Sequence, residues 1–229
     1  MSLGCQNSDR AFKSEKIKIE SDTIDYECTD FYSDGEVMSR YFLKENKIHG
    51  YNANYYHNGK IDFEGNWETG KKKGLFKYFD SLGNLEKIIE FVPFRDSLNS
   101  RPNQVIKINT AGDTIVDKSL YYEYYSVSDT IKSGVPYEFK IVLRGHIYDN
   151  AFIRFCDFDD KFNLAYDEEK CEVVNTVNFG IQLKYTRTKI GVNYLRGVIV
   201  NYNRDPTTNE AYVGKYVEVY FSHKFYVVP

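Results

Sequence analysis

A single tryptophan, Trp67, and only four cysteines, Cys5, Cys28, Cys156 and Cys171, occur among the 229 residues. The cysteines form no CxxC pair and no histidine stands at a zinc-like interval, which argues against a structural metal centre. Long apolar runs are missing too, since no stretch approaches the roughly 18 residues of a membrane-spanning helix. Charge of one sign is not in excess: 30 Lys and Arg are interspersed with 33 Asp and Glu, for a formal net charge of −3. No broad cationic field exists to draw phosphate backbones, and nucleic acid is not an expected partner. No serine or cysteine sits in a nucleophile elbow, and the four histidines, His49, His57, His146 and His223, are dispersed along the chain. Sequence reasoning therefore names no catalytic residue and calls for no cofactor.

Aromatic residues are abundant instead: 21 Tyr and 16 Phe bring their share, with Trp67, to 17%. Together with many Val and Ile they favour strands, and the expected fold class is all-β. Gly35, Gly59 and Gly83 recur 24 residues apart, each closing an aromatic-led turn (FYSDG, YYHNG, YFDSLG). Gly50 and Gly74 keep the same period, as do Leu43, Trp67 and Phe91. Asp34-Gly35 and Asn58-Gly59 are hairpin-turn dipeptides, because such turns need a positive φ that Gly, Asn and Asp adopt at low cost. Each unit reads as a strand, a tight turn and a returning strand. The segments ENKIHG and TGKKKG read as loops into the next hairpin, with Lys71, Lys72 and Lys73 in a solvated turn. One unit cannot bury its own aromatic face, so copies must stack into an antiparallel meander. An extra residue in the third turn, Asp80-Ser81-Leu82-Gly83, predicts a longer turn or a bulge there.

These features over residues 26–92 resemble the MORN-type repeat variant, in which an aromatic pair, a turn glycine and a second glycine after a lysine-rich loop recur at a fixed interval. The resemblance implies an extended antiparallel sheet. Similar repeats occur in proteins catalogued as antitoxin components, which implies a cytoplasmic antitoxin-like binding protein as one alternative. A fourth hairpin is expected to turn at Ala111-Gly112-Asp113 and to return from Thr114 to Tyr124. The division that follows is a flexible tether over 1–15, a repeat meander over 16–125 and a second domain over 126–229.

In the second domain the 24-residue echo is lost. Tyr137, Phe139, Ile141 and Leu143 alternate with Glu138, Lys140 and Arg144, and Ile181, Leu183 and Tyr185 alternate with Gln182, Lys184 and Thr186, as in strands buried on one face. With strands over 129–133, 151–157, 171–176, 191–202 and 214–228, the count is that of an immunoglobulin-like sandwich. The run Ser133-Gly134-Val135-Pro136-Tyr137-Glu138-Phe139 resembles the opening of many bacterial Ig-like modules.

The candidate sites are few. Tyr55, Tyr56, Trp67, Tyr78 and Phe79 offer rings on which a sugar or peptide could stack. Asp157, Asp159 and Asp160, supplemented by Asp167, Glu168 and Glu169, group hard oxygen ligands suited to calcium, although EF-hand spacing is missing. Cys156 and Cys171 could bridge neighbouring strands in an oxidising compartment, leaving Cys28 as a buried thiol. Gly4-Cys5 followed by a polar stretch resembles the processing junction of a bacterial lipoprotein, which implies that Cys5 carries the lipid and that any membrane contact is through that anchor. The expected role is a non-enzymatic cell-envelope lipoprotein presenting a sheet face to a protein or glycan. A hydrolase using a cleft between the domains is the remaining alternative.

Overall fold

The computed structural model describes residues 13–19, 21, 23–93, 100–145, 147–164, 171–186, 189–204 and 211–229. Described strands are joined by turns and one short 3-10 segment, Val116–Lys118. The chain divides into two compact units between Ile115 and Val116.

Eight strands build the first unit: β1 (Lys13–Lys18), β2 (Tyr26–Phe31), β3 (Val37–Lys44), β4 (Lys47–Tyr55), β5 (Ile61–Glu68), β6 (Lys71–Phe79), β7 (Leu85–Val92) and β8 (Arg101–Lys107). They pair antiparallel in chain order, so the sheet is an uninterrupted meander. One turn form recurs along one end of it. The amide of Tyr32 donates to the Glu36 carbonyl and that of Gly35 to the Tyr32 carbonyl, and the same two bonds close Tyr56–Lys60, Asp80–Asn84 and Asn109–Asp113. Gly35, Gly59, Gly83 and Gly112 occupy the left-handed position, with φ of 93°, 76°, 88° and 89°. The third turn is thus no longer than the others; Asp80 stands where Tyr32 and Tyr56 stand. Two-residue turns serve the opposite end, Glu45–Asn46 (φ 50° and 60°) and Thr69–Gly70 (φ 48° and 82°). Strand structure resumes at once after Thr69–Gly70, and Lys71, Lys72 and Lys73 belong to β6 rather than to a loop. Gly50 and Gly74, likewise at positive φ, face Trp67 and Phe91 across the ladder, and pairing slips register beside each of them.

Buried side chains gather mainly on one face of this sheet. Cross-strand partners Cys28 and Tyr41, Asp30 and Ser39, and Tyr41 and Asn52 are all buried. The Asp30 carboxylate accepts hydrogen bonds from Ser14 Oγ (2.6 Å) and Ser39 Oγ (3.1 Å), which compensates its removal from water. Gly65 lets the fully buried Phe76 ring lie directly on the backbone, since a Cβ there would stand 2.5 Å from Phe76 Cγ. The expected return of a fourth hairpin is reduced to a bridge between Ile108 and Thr114, after which the chain leaves the sheet.

The second unit comprises β9 (Tyr121–Ser126), β10 (Thr130–Lys132), β11 (Pro136–Arg144), β12 (Asn150–Phe155), β13 (Glu172–Asn175), β14 (Gly180–Thr186), β15 (Gly191–Arg204) and β16 (Ala211–Val228). Tyr121–Ser126, expected in the meander, pairs instead with β11. The strands form a three-stranded sheet, β14-β11-β9, and a five-stranded sheet, β10-β16-β15-β12-β13, in which β10 runs parallel to β16. Inward residues of both sheets share one core: Tyr137, Phe139, Ile141 and Leu143 from β11 meet Ile153, Leu195, Ile199, Val219, Phe221 and Phe225. Gly197 repeats the device of Gly65, here beneath Phe221. Asn201, with no exposure, uses its full hydrogen-bonding capacity on the loop before β12: Oδ1 accepts from the amides of Ile147 and Tyr148, and Nδ2 donates to the carbonyls of Tyr148 and Asn150.

Candidate functional site

The five rings expected to form a platform fall into two groups. Trp67 and Tyr78 join Phe63, Phe76 and Phe91 in a cluster on the buried face of the meander. Phe76 packs edge-on against Trp67 (6.0 Å between centroids) and Phe91 (5.1 Å), and Phe63 lies 5.7 Å from Tyr78. Lys72, paired across the ladder with Trp67, places its ammonium 4.9 to 5.8 Å from all five ring centroids and donates to the Tyr78 hydroxyl at 3.0 Å. An ammonium at such distances is attracted by the ring faces while its methylenes cover them. The cluster therefore already holds a cation from its own chain. Two polar atoms on this face, Trp67 Nε1 and Asn52 Oδ1, are buried without a hydrogen-bond partner.

Tyr55, Tyr56 and Phe79 stand at the turn end and link one repeat to the next. Tyr32 Oη donates to the Tyr55 carbonyl and Tyr56 Oη to the Phe79 carbonyl, each at 2.7 Å. Burial and the nearby Asp62 carboxylate push the Tyr56 hydroxyl up to about 12. Further bonds complete the seams between turns. His57 stacks on Tyr32 (3.7 Å) and meets Asp34 Oδ2 at 3.1 Å, Asn58 Nδ2 donates to the Ser81 carbonyl at 2.7 Å, and Lys60 Nζ donates to that of Leu82. Of the three candidates, Tyr56 links neighbouring turns through its side chain, whereas Tyr55 and Phe79 contribute backbone carbonyls.

Of the candidate calcium residues, Asp159 is committed to a turn. Its Oδ1 accepts from the amides of Lys161 and Asn163 (2.8 Å each), and its Oδ2 accepts from Asn163 Nδ2 (2.9 Å). Burial raises the Asp159 carboxyl, but the Asn163 and Lys161 bonds outweigh it and hold the group below the usual carboxylate range. Asp80–Asn84 is bonded the same way, so this is the turn of the repeats again, with Phe162 (φ 57°) in the glycine position. Asp157 and Asp160 are exposed beside it, and Asp167, Glu168, Glu169 and Cys5 lie outside the described residues. Among the described residues, no group of three or more His, Cys, Asp or Glu side chains is placed to hold a metal ion.

A disulfide joins Cys156 and Cys171, with Cα atoms 4.6 Å apart, and ties the end of β12 to the start of β13. Beside it opens a groove of about 530 Å³ lined by Asp157, Asp159, Glu172, Tyr185, Tyr194 and Arg196, among others. Arg196 is fixed: Nη1 donates to the Phe158 carbonyl (2.7 Å), Nε donates to Ser222 Oγ (3.2 Å), and the guanidinium lies 4.5 Å from the Tyr194 ring. Tyr194 is itself exposed, as are Val192, Tyr226 and Val228 on the same hairpin, and Lys224 sits 4.9 Å over Tyr226. Val192 and Tyr194 share the strand parity of the buried Val198, Val200 and Tyr202, so alternation does not mark them as outward-facing, and only the pairing of β15 with β16 brings Val192 beside Tyr226. No protein-family model matches the chain, and no curated protein or solved structure is significantly similar to it.

Proposed function

We propose that this chain is a non-enzymatic binding module of the bacterial cell envelope, anchored through Cys5 and recognising a protein or glycan. The observation that carries the reading is the groove beside Cys156–Cys171, where a rigidly held Arg196 backs the exposed Tyr194 ring and Val192 and Tyr226 extend an apolar surface outward. An exposed aromatic on a pre-organised cationic support, bordered by carboxylates, is suited to stacking on a sugar or packing against a peptide. The disulfide favours an oxidising compartment, whereas the cytoplasmic antitoxin-like alternative would need both thiols reduced.

Strand order supports an immunoglobulin-like reading of the second unit. With β11, β12, β14, β15 and β16 taken as strands B, C, E, F and G, B and E share one sheet while C, F and G share the other. The recurring turns and bulge glycines support the MORN-type reading of the first. The whole chain, immobilised and offered envelope extract and a glycan array, should retain a ligand. Tyr194→Ala should weaken that binding at least about ten-fold with unchanged circular dichroism. Retention of nothing from either source sinks the proposal.

A further inference from the structure

The six sheet edges are not treated alike. Edges invite pairing with another chain, and proteins blunt them with lysines, prolines or short strands. β1 carries Lys13, Lys16 and Lys18, β8 contains Pro102, and β10 and β13 are three and four residues long. The three-stranded sheet is the exception: its edges β9 and β14 run six and seven residues, with no proline and a single lysine, on β14.

Hydrogen-bond parity shows what β14 presents. The Leu143 amide donates to the Phe179 carbonyl, and Gly180 exchanges both bonds with Val177, away from β11. Neighbouring residues of a strand direct their backbone groups to opposite sides, so Ile181, Leu183 and Tyr185 bond to β11 while Gln182, Lys184 and Thr186 point outward. Among the described residues no strand pairs with that side. Ile181, Leu183 and Tyr185 line the margin of the core, whereas Gln182, Lys184 and Thr186 are exposed.

We propose that β14 pairs antiparallel with β14 of a second copy of this chain across a two-fold axis, joining two three-stranded sheets into one of six. The sequence of the edge selects the register. Centring on Leu183 sets Gln182 opposite Lys184 of the second copy in bonded pairs, Leu183 against Leu183 in the close non-bonded pair, and Ile181 against Tyr185 on the core side. Of the other registers that the outward groups allow, centring on Lys184 sets two ammonium groups opposite each other, which like-charge repulsion disfavours; centring on Gln182 calls on Gly180, whose outward groups already bond Val177; and centring on Tyr185 joins only Lys184 with Thr186 among the described residues. A two-fold axis needs a self-complementary patch, and the first register supplies it.

Sedimentation velocity on the whole chain over a range of concentrations tests the pairing. The expected result is a concentration-dependent shift from 26.8 kDa to twice that mass. Gln182→Glu adds two cross-strand ion pairs per dimer and should tighten association about five-fold, and Gln182→Lys should weaken it by a similar factor. Lys184 also meets Glu138 across the ladder of its own chain at 2.6 Å, so the variant that should restore association combines Gln182→Lys and Lys184→Glu with Glu138→Lys. Circular dichroism checks that each variant remains folded, which exposed substitutions on an edge permit. A wild-type chain that stays monomeric overturns the proposal, and so does a dimer indifferent to the charge at position 182.

Discussion

His223 stands in an inward series on β16, Val219, Phe221, His223, Phe225 and Val227, whose other members are apolar. Its ring stacks on Tyr124 at 3.4 Å and meets Tyr122 edge-on at 5.7 Å, and its buried Nε2 has no hydrogen-bond partner. Burial pushes its pKa down to about 4. Among the described residues, the titratable groups facing it are the tyrosines Tyr122 and Tyr124, with Tyr137 bonded to Tyr124, and no carboxylate there offsets a positive charge. The folded state keeps His223 neutral while the unfolded chain takes up the proton near 6.5, so stability is full above that pH and falls between about 6.5 and 4. The loss should reach about 3 kcal/mol, measured by urea unfolding across that range, and His223→Phe should remove most of the pH dependence. Sequence reasoning saw four scattered histidines, because the environment of His223 is made by β9, distant in the chain. The turn that Asp159 holds was legible only in part. Asp159-Asp160-Lys161-Phe162-Asn163 repeats the first and last residues of Asp80–Asn84, but Phe162 in place of glycine hid the turn and left three carboxylates looking like ligands.

At the level of strands and turns, the 24-residue interval was legible because glycines at φ 93°, 76° and 88° have no cheap substitute. What joins the repeats was not. The bonds from Tyr32 to Tyr55 and from Tyr56 to Phe79 each span a seam between units, and spacing alone marks these residues as rings rather than as donors and acceptors. Tyr56→Phe should cost the meander about 1 kcal/mol in urea unfolding. Tyr32→Phe should add a similar, independent loss, because the two bonds lie on different seams. Lys72 was misjudged for a related reason. The turn is complete in Thr69 and Gly70, so the basic run begins a strand, and only the pairing of β5 with β6 shows the ammonium among five rings. The run Tyr121–Ser126, YYEYYS, has no apolar-polar alternation to assign it to either sheet, and the sequence does not disclose that its partner is β11.

Across the whole molecule, the two units are stabilised by different means. The meander relies on neighbour-to-neighbour seams, whereas the unit from Val116 onward combines a shared two-sheet core with a covalent tie. Cys156 and Cys171 are 15 residues apart, and closing a loop of that length is worth about 3 kcal/mol. Reduction should therefore raise amide hydrogen exchange in β12 and β13 while leaving β3 to β7 unchanged, which hydrogen-exchange mass spectrometry on the intact chain can read. Fold class and the positions of most strands followed from alternation and turn residues. The groove beside the disulfide did not, since Asp157, Tyr185 and Arg196 come from three separate segments.

The parallel pairing of Thr130–Lys132 with Tyr226–Val228 joins the beginning of the second unit to its last strand. During synthesis the meander can zip hairpin by hairpin as it emerges, each strand meeting a partner already made. The second unit has no such luxury: β10 must wait until Tyr226–Val228 has been made, and the rings of β11 stay exposed until then. A message cut off within the codons for β16 would yield a sound first half attached to a sticky, unclosed remainder.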